Sequence, residues 1–348
     1  MRRNQWVMII AAGIVMVVIV IAYSVWNDTR FVTGNVVPHT KVQVAYLTGP
    51  WAAGRGDIYI LDMATGAVTQ LTKGRNFSNL RWSPDGESLF LTSFAAKQIS
   101  ASYYPETYLL NISTGKLEPA VGELSNAFGT VSLSPNGKQI LDSGFALVDP
   151  GEDNSVSQPI FLKDVGKSDR KQIATGVNPA WSPDGTQIAF ASKQGGDADS
   201  DIYLMNKDGS NQRRLLQNSG KDLQPLWSFD GKYIVFLTVP ENGPRYVTVT
   251  NLQRKTTATI DVQDVPVWSP TTDQLAYSDG LHPLCIAGPD GGNAQCLPNR
   301  TEGVRPQWSP DGRQVVFDDL QNICVFNLEK GNASCFKQAA GIFPVWRP

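Results

Sequence analysis

One short string, WSPDG, recurs along the chain and constrains its fold more than any other feature. It stands at 82–86, 181–185 and 308–312, with variants LSPNG at 133, WSFDG at 227 and WSPTTD at 268. A terminal VWRP, whose Trp is Trp346, supplies a seventh copy. Successive first residues are 51, 48, 46, 41, 40 and 38 positions apart, a spacing that surrounds the roughly 40–50 residues of a four-stranded propeller blade.

Each part of the copy has a physical job, plainest at 178–216 (NPAWSPDGTQIAFASKQGGDADSDIYLMNKDGSNQRRLL). Pro183 presets φ for a turn, Asp184 accepts local backbone hydrogen bonds, and Gly185 takes the left-handed conformation that closes a hairpin. A short strand therefore ends at Trp181. QIAFAS and DIYLMN read as sandwiched strands, and KDG marks a second hairpin before a fourth strand, RRLL. A large flat Trp at one fixed place per sheet suits packing between neighbouring sheets. Leu133 fills that place less well.

Such a sheet cannot bury both faces alone, and radial stacking also protects its edges. The ends of the repeat region complement each other. Residues 42–72 match the last three strands of a blade, and IFPVWRP at the C-terminus is a first strand with nothing after it. The expectation is an all-β, seven-bladed β-propeller of four-stranded antiparallel blades over 41–348, closed by pairing of the N- and C-terminal strands. Six or eight blades are the alternatives.

WSPDG, an apolar strand and then DIYLMNKDG together resemble the TolB-type propeller repeat, which also occurs in the propeller domains of prolyl-oligopeptidase-like enzymes. The resemblance covers about 41–348 and speaks to fold more than to function. TolB itself has six blades and an additional α/β domain; neither is read in this sequence, so TolB's partners are not carried over. A WD-repeat propeller is excluded by residues, since Trp opens the turn here and no Gly-His or Trp-Asp pair marks the blades.

No charged residue lies between Arg3 and Asp28, and Trp6 to Trp26 is almost wholly aliphatic, long enough as a helix to cross about 30 Å of hydrocarbon. Trp6, Tyr23 and Trp26 sit where interfacial aromatics belong, and Arg2 and Arg3 hold the N-terminus inside by the positive-inside rule. The expected organisation is a cytoplasmic N-terminus (1–5), a single transmembrane anchor (6–26), a linker (27–40) and an exported propeller. Cleavage near Ser24, releasing a secreted protein, is the alternative.

The four cysteines form two pairs with the same spacing, Cys285 with Cys296 and Cys324 with Cys335. Each pair flanks the hairpin between the third and fourth strands of its blade, where cross-strand neighbours come close enough for a disulfide. Two intrablade disulfides are expected, in agreement with export. CxxC spacing is absent, so no zinc site is read.

Catalytic signals are sparse. The chain has two His, His39 in the linker and His282 in a loop, too few for a His-rich metal centre. A peptidase of the oligopeptidase type needs a hydrolase domain with a Gly-x-Ser-x-Gly elbow, and no such string occurs. GKS at 166–168 lacks the leading Gly of a phosphate loop and reads as a hairpin. Asp85, Asp184, Asp208, Asp290 and Asp311 lie in turns that account for them. GGDADSD at 195–201 is the one acidic stretch able to hold a hard cation, and a solvated loop explains it as well. No cofactor, metal or catalytic residue is assigned. Lys plus Arg total 30 against 32 acids without long runs of either sign, so nucleic acid is excluded as a partner.

Recognition is expected on one face. The SPDG side is short and uniform, whereas the opposite side carries 49–56, 93–106, 143–158 and 192–200, concentrated in the first four blades. Long loops on a rigid scaffold commonly carry binding. Trp51, Arg55, Phe94, Tyr103, Tyr104 and Phe145 are the candidate contacts, with a protein or an envelope polymer as partner. RGD at 55–57 enters a strand and is not read as an adhesion motif. The leading expectation is a non-catalytic binding or scaffold module of the cell envelope. The alternative is a carbohydrate-active or other hydrolytic propeller using carboxylates alone, with Asp149, Glu152, Asp153, Asp197 and Asp199 as candidates.

Overall fold

A computed structural model describes residues 42–348, apart from 49–55, 75–76, 84, 94–97, 100–101, 104–105, 120–130, 144–157, 165–166, 168, 195–198, 263–264 and 299–305. Among the described residues the strands form seven four-stranded antiparallel sheets and one two-stranded ribbon. The predicted span 6–26 and linker 27–40 lie outside the described residues, within which no helix is long and apolar enough to cross a membrane.

The first blade is assembled from both ends of the propeller. Ile342–Trp346 pairs with Gln43–Thr48, Val44 facing Trp346 and Ala45 facing Val345; Asp57–Asp62 and Val68–Gln70 follow outward. The other six blades each use consecutive strands. In the fourth they are Val177–Trp181, Gln187–Ser192, Asp201–Asn206 and Arg213–Arg214. The second blade has one addition: the ribbon of Gln98–Ile99 and Ser102–Tyr103 is inserted between its second and third strands.

Alternation along each strand glues a blade to both neighbours. In the fourth blade Ile188 and Phe190 pack back onto Leu141 and Ile160 of the third. Ala189 and Ala191 pack forward onto Leu223, Ile234 and Phe236 of the fifth. The first blade does the same across the ring joint, where Ala45, Leu47 and Ile342 join Leu80, Trp82 and Leu89, while Val44, Tyr46 and Trp346 join Val316, Ile323 and Val325.

The repeated Trp adds a directional bond to this packing. A buried indole N–H must find an acceptor, and here it finds the same one each time. Trp82 donates to the carbonyl of Val345, Trp181 to Ser132, Trp227 to Ala180, Trp268 to Leu226, Trp308 to Val267 and Trp346 to Gln307, at 3.1–3.4 Å. Each acceptor is the residue just before the Trp, or before Leu133, of the preceding copy. Leu133 has no side-chain N–H, so the carbonyl of Arg81 receives no such bond across the joint of the second and third blades.

These bonds bring the first strands of successive blades together around the axis, as their direct contacts also show. Arg81, just before Trp82, is solvent-exposed, yet burial among surrounding protein holds its guanidinium below the ordinary value. Leu226, in the equivalent place of the fifth blade, is 38% exposed.

Candidate functional site

The two faces of the disc differ in how completely their polar groups are used. On the SPDG face the turns of five copies bond within themselves, whereas Asp273 in the WSPTTD copy keeps a buried carboxylate oxygen without a hydrogen-bond partner. In the fourth blade Ser182 Oγ donates to Asp184 Oδ1 at 2.6 Å, Thr186 N–H donates to the same oxygen at 3.0 Å, and Gln187 N–H donates to Ser182 Oγ. Gly185 closes the turn at φ 69°. Ser83 with Asp85, Ser134 with Asn136, Ser228 with Asp230 and Ser309 with Asp311 repeat the bond. The Ser hydroxyl first, and backbone N–H groups with it, hold Asp85, Asp184 and Asp311 below the usual carboxylate range. In the KDG hairpin Ser210 does the same for Asp208, and Asp290 accepts from Gly292 N–H. The turn chemistry read from the sequence accounts for these five acids.

The opposite face carries the connections between second and third strands. They run over 49–56, 94–105 and 144–158 in the first three blades, against 319–321 in the seventh. Of the residues proposed for recognition, Trp51, Arg55, Phe94, Tyr104 and Phe145 lie outside the described residues. Tyr103 is placed in the ribbon on the second blade, opposite Gln98. Asp149, Glu152, Asp153 and Asp197 also lie outside, and Asp199 stands just before the third strand of the fourth blade.

A polar cleft of about 540 Å³ lies at the rim of the joint between the third and fourth blades, lined by Gln172, Ile173, Ala174, Thr175, Ser192, Lys193, Gln194 and Gln212. Its side chains already stitch the blades together. Ser192 Oγ donates to the carbonyl of Thr175 at 2.7 Å, and Gln212 Nε2 donates to that of Ile173 at 3.4 Å. Sequence reading did not find this cleft, because its walls come from two blades and no motif marks it.

The remaining motifs are spent locally. The carboxylate of Asp57, the last residue of RGD, accepts from Thr72 Oγ1 and Gly74 N–H inside its own blade. Lys167, in GKS, caps a hairpin by bonding Asp164 at 2.7 Å. His282 Nδ1 lies 2.8 Å from Asp279 Oδ2, and its backbone N–H donates to Asp279 Oδ1. Burial pushes the Asp279 carboxyl up, but the bonds from His282 and Leu281 outweigh it and the net direction is down.

Both expected disulfides form, Cys285 with Cys296 and Cys324 with Cys335, each between residues directly opposite on third and fourth strands. Asp279 and His282 lie close to the first pair. Its sulfurs are bonded to each other, so neither is a thiolate ligand.

A family model described as the TolB beta propeller domain matches residues 81–282 and 152–323. An uncharacterized protein of Agrobacterium fabrum (strain C58), Atu1656, is 25% identical over 303 residues, covering 80% of this chain and 96% of that protein. The uncharacterized peptidase YuxL of Bacillus subtilis (strain 168) is 27% identical over 143 residues, and the match spans 40% of this chain but only 21% of the peptidase. Among solved structures, TolB from Acinetobacter baumannii superposes with a TM-score of 0.55 at 18% identity, over 90% of this chain and 68% of that one. That likeness speaks to the fold alone.

Proposed function

Because the chain belongs to the TolB β-propeller domain family, we propose that it is a membrane-anchored, extracytoplasmic module without catalysis of its own, which binds a protein partner through its loop-rich face. Family membership supports a protein-binding or scaffold role at the coarser level. The observation that carries the finer reading is the asymmetry of the disc: one face spends its polar groups in uniform turns, and the other concentrates its excess length in the first blades. A rigid ring bearing long connections on one side is suited to recognition, with aromatic side chains as anchors.

The compartment follows from two independent supports. The apolar run from Trp6 to Trp26 is long enough to span a bilayer with its Arg pair inside. The two disulfides suit an oxidising environment on the far side. Against catalysis stand the missing Gly-x-Ser-x-Gly string and the engagement of His282 with Asp279. The peptidase relative is matched over about a fifth of its length, so its name transfers no activity.

The test is crosslinking capture from native membranes, comparing the wild-type chain with a Trp51→Ala/Tyr103→Ala/Tyr104→Ala variant. Loss of a specific crosslinked protein at unchanged melting temperature is the expected result. Retained capture, or melting that falls while capture persists, overturns the assignment of the binding face.

A further inference from the structure

Asp279, His282, Cys285 and Cys296 converge in the sixth blade. One donor atom from each, a carboxylate oxygen, an imidazole nitrogen and two sulfurs, lies within 4.8 Å of the other three. A strand pair and a turn achieve this. Cys285 opens the third strand, Cys285–Ala287, directly opposite Cys296 on the fourth, Gln295–Cys296. The turn before Cys285 folds around Asp279, whose Oδ1 accepts the backbone N–H groups of Leu281 at 2.9 Å and His282 at 2.6 Å. Its Oδ2 is thereby held 2.8 Å from His282 Nδ1 and 3.8 Å from Cys285 Sγ. Ser278 Oγ donates to the carbonyl of His282 and fixes the other side of the turn.

A structural disulfide needs no imidazole beside it, as the seventh blade demonstrates. There Cys324 and Cys335 face each other in the same way, and Asp319 folds a similar turn through the N–H groups of Gln321 and Asn322. The third residue after that Asp is Asn322, where the sixth blade has His282. Its converging donors are Asp319, Cys324 and Cys335 alone. Among the described residues, only the sixth-blade cluster combines carboxylate, imidazole and two sulfurs.

We propose that this cluster is a redox-controlled zinc site: the disulfide excludes the metal, and its reduction creates a tetrahedral site for one Zn²⁺ with Asp279, His282, Cys285 and Cys296 as ligands. Four donors drawn from sulfur, nitrogen and carboxylate oxygen suit zinc above harder cations. Tetrahedral zinc places its donors about 3.3–3.8 Å apart. Once the sulfurs part, small side-chain rotations therefore complete the set.

The reductant required is an external dithiol. Its thiolate attacks Cys296 Sγ, on the exposed outer strand, and forms a mixed disulfide; the bond to Cys285 breaks and its electron pair leaves on Cys285 Sγ. The second thiol of the reductant then displaces Cys296, and the reductant departs as a disulfide. Zn²⁺ takes up both thiolates, and the two protons of the dithiol pass to solvent. The hairpin is thus cross-linked in either state, by a covalent bond or by the metal. The 278–284 connection that carries Asp279 and His282 joins second and third strands, so the exchange is felt on the loop-rich face.

The experiment compares metal uptake by the full-length chain in detergent before and after anaerobic reduction with a phosphine, using Co²⁺ as spectroscopic probe and Zn²⁺ as competitor. The oxidised chain is expected to take up neither. The reduced chain is expected to bind one Zn²⁺ with Kd of about 10⁻⁷ M or tighter. Its Co²⁺ form shows thiolate charge-transfer and tetrahedral d–d bands that zinc abolishes. Two matched variants, each one bridge short, separate the site from the hairpin: Cys324→Ser/Cys335→Ser keeps it and Cys285→Ser/Cys296→Ser loses it. His282→Asn, which copies the seventh blade, weakens zinc by at least the roughly tenfold that losing an outer partner of a ligand costs. Near-ultraviolet circular dichroism follows the fold throughout. Full-strength binding by His282→Asn, equal binding by the two double-serine variants, or uptake that begins only as the fold is lost overturns the proposal. So does absence of saturable zinc uptake by the reduced chain, or equal uptake by the oxidised one.

Discussion

Trp82 donates its indole N–H to the carbonyl oxygen of Val345, 3.2 Å away and 263 positions later in the chain. The first complete copy of the repeat thereby holds the last one in place. Beside it Arg347 stacks its guanidinium 5.3 Å from the Trp82 ring and donates from Nη1 to Gln43 Oε1 at 2.6 Å in a buried setting. Ring closure therefore rests on side chains as well as on the ladder between Gln43–Thr48 and Ile342–Trp346.

Replacing Arg347 by Ala removes its charge-assisted bond to the buried Gln43 amide oxygen. The expected cost is about 1.5–3 kcal/mol. Thermal unfolding followed by Trp fluorescence reads it as a melting temperature several degrees lower. An unchanged midpoint would show that the ladder alone keeps the ring shut.

The joint between the second and third blades lacks the indole bond found at the other six. Leu133→Trp supplies an N–H for the carbonyl of Arg81, and a gain of roughly 1 kcal/mol is expected, close to the net worth of one hydrogen bond. Trp181→Phe, which removes the bond to Ser132, should cost about 1–3 kcal/mol because that carbonyl's donor and part of the packed volume are lost together. Denaturant midpoints at constant slope check both. Destabilisation by Leu133→Trp would mean that the joint has adapted to the smaller side chain.

Each disulfide closes a short loop across one hairpin, for which the chain-entropy model gives about 2–3 kcal/mol. Cys285→Ser/Cys296→Ser and Cys324→Ser/Cys335→Ser should each lower the unfolding free energy from denaturant titration by that amount, and their combination by nearly the sum, since the pairs sit in different blades. Alkylation under non-reducing denaturing conditions should label no cysteine in protein taken from its native compartment. Four labelled thiols would contradict both the pairing and the export.

Asp222 makes stability fall with pH. Its folded-state pKa, about 7, lies above the ordinary 3.8, so the native state binds this proton more tightly than the unfolded chain does. The stabilisation is complete below about pH 4. It is lost as pH rises towards 7, amounting to a few kcal/mol in order of magnitude. Asp142, also pushed up by burial and restrained by Arg170 and Lys163, adds in the same direction. Asp222→Asn should flatten this decline between pH 4 and 8 and exceed the wild type in stability at pH 8. Parallel pH profiles for the two proteins would show that Asp222 is ionised throughout.

Much of the fold was legible because its signals are local. Pro183, Asp184 and Gly185 need only each other and Ser182 to make their turn, so the turn reads the same in one dimension as in three. The pairing of Cys285 with Cys296 follows similarly from one hairpin register. The binding face was legible only as excess length, and most of its proposed contacts fall outside the described residues. Asp222 escaped notice altogether: in KDLQPLW it is one polar residue at a strand start, with no motif around it.

Repeat period, strand order, ring closure and disulfide partners were thus determined by sequence alone, since each depends on residues within one blade or on the matching of its two halves. Tertiary structure decided which carbonyl each indole meets, where Leu133 breaks that series, and that Asp222 is buried against Ser200 of the preceding blade. The reason is physical. Those contacts join side chains of different blades, and their distances are set by how sheets twist and stack around the axis, a geometry that no short stretch of chain encodes.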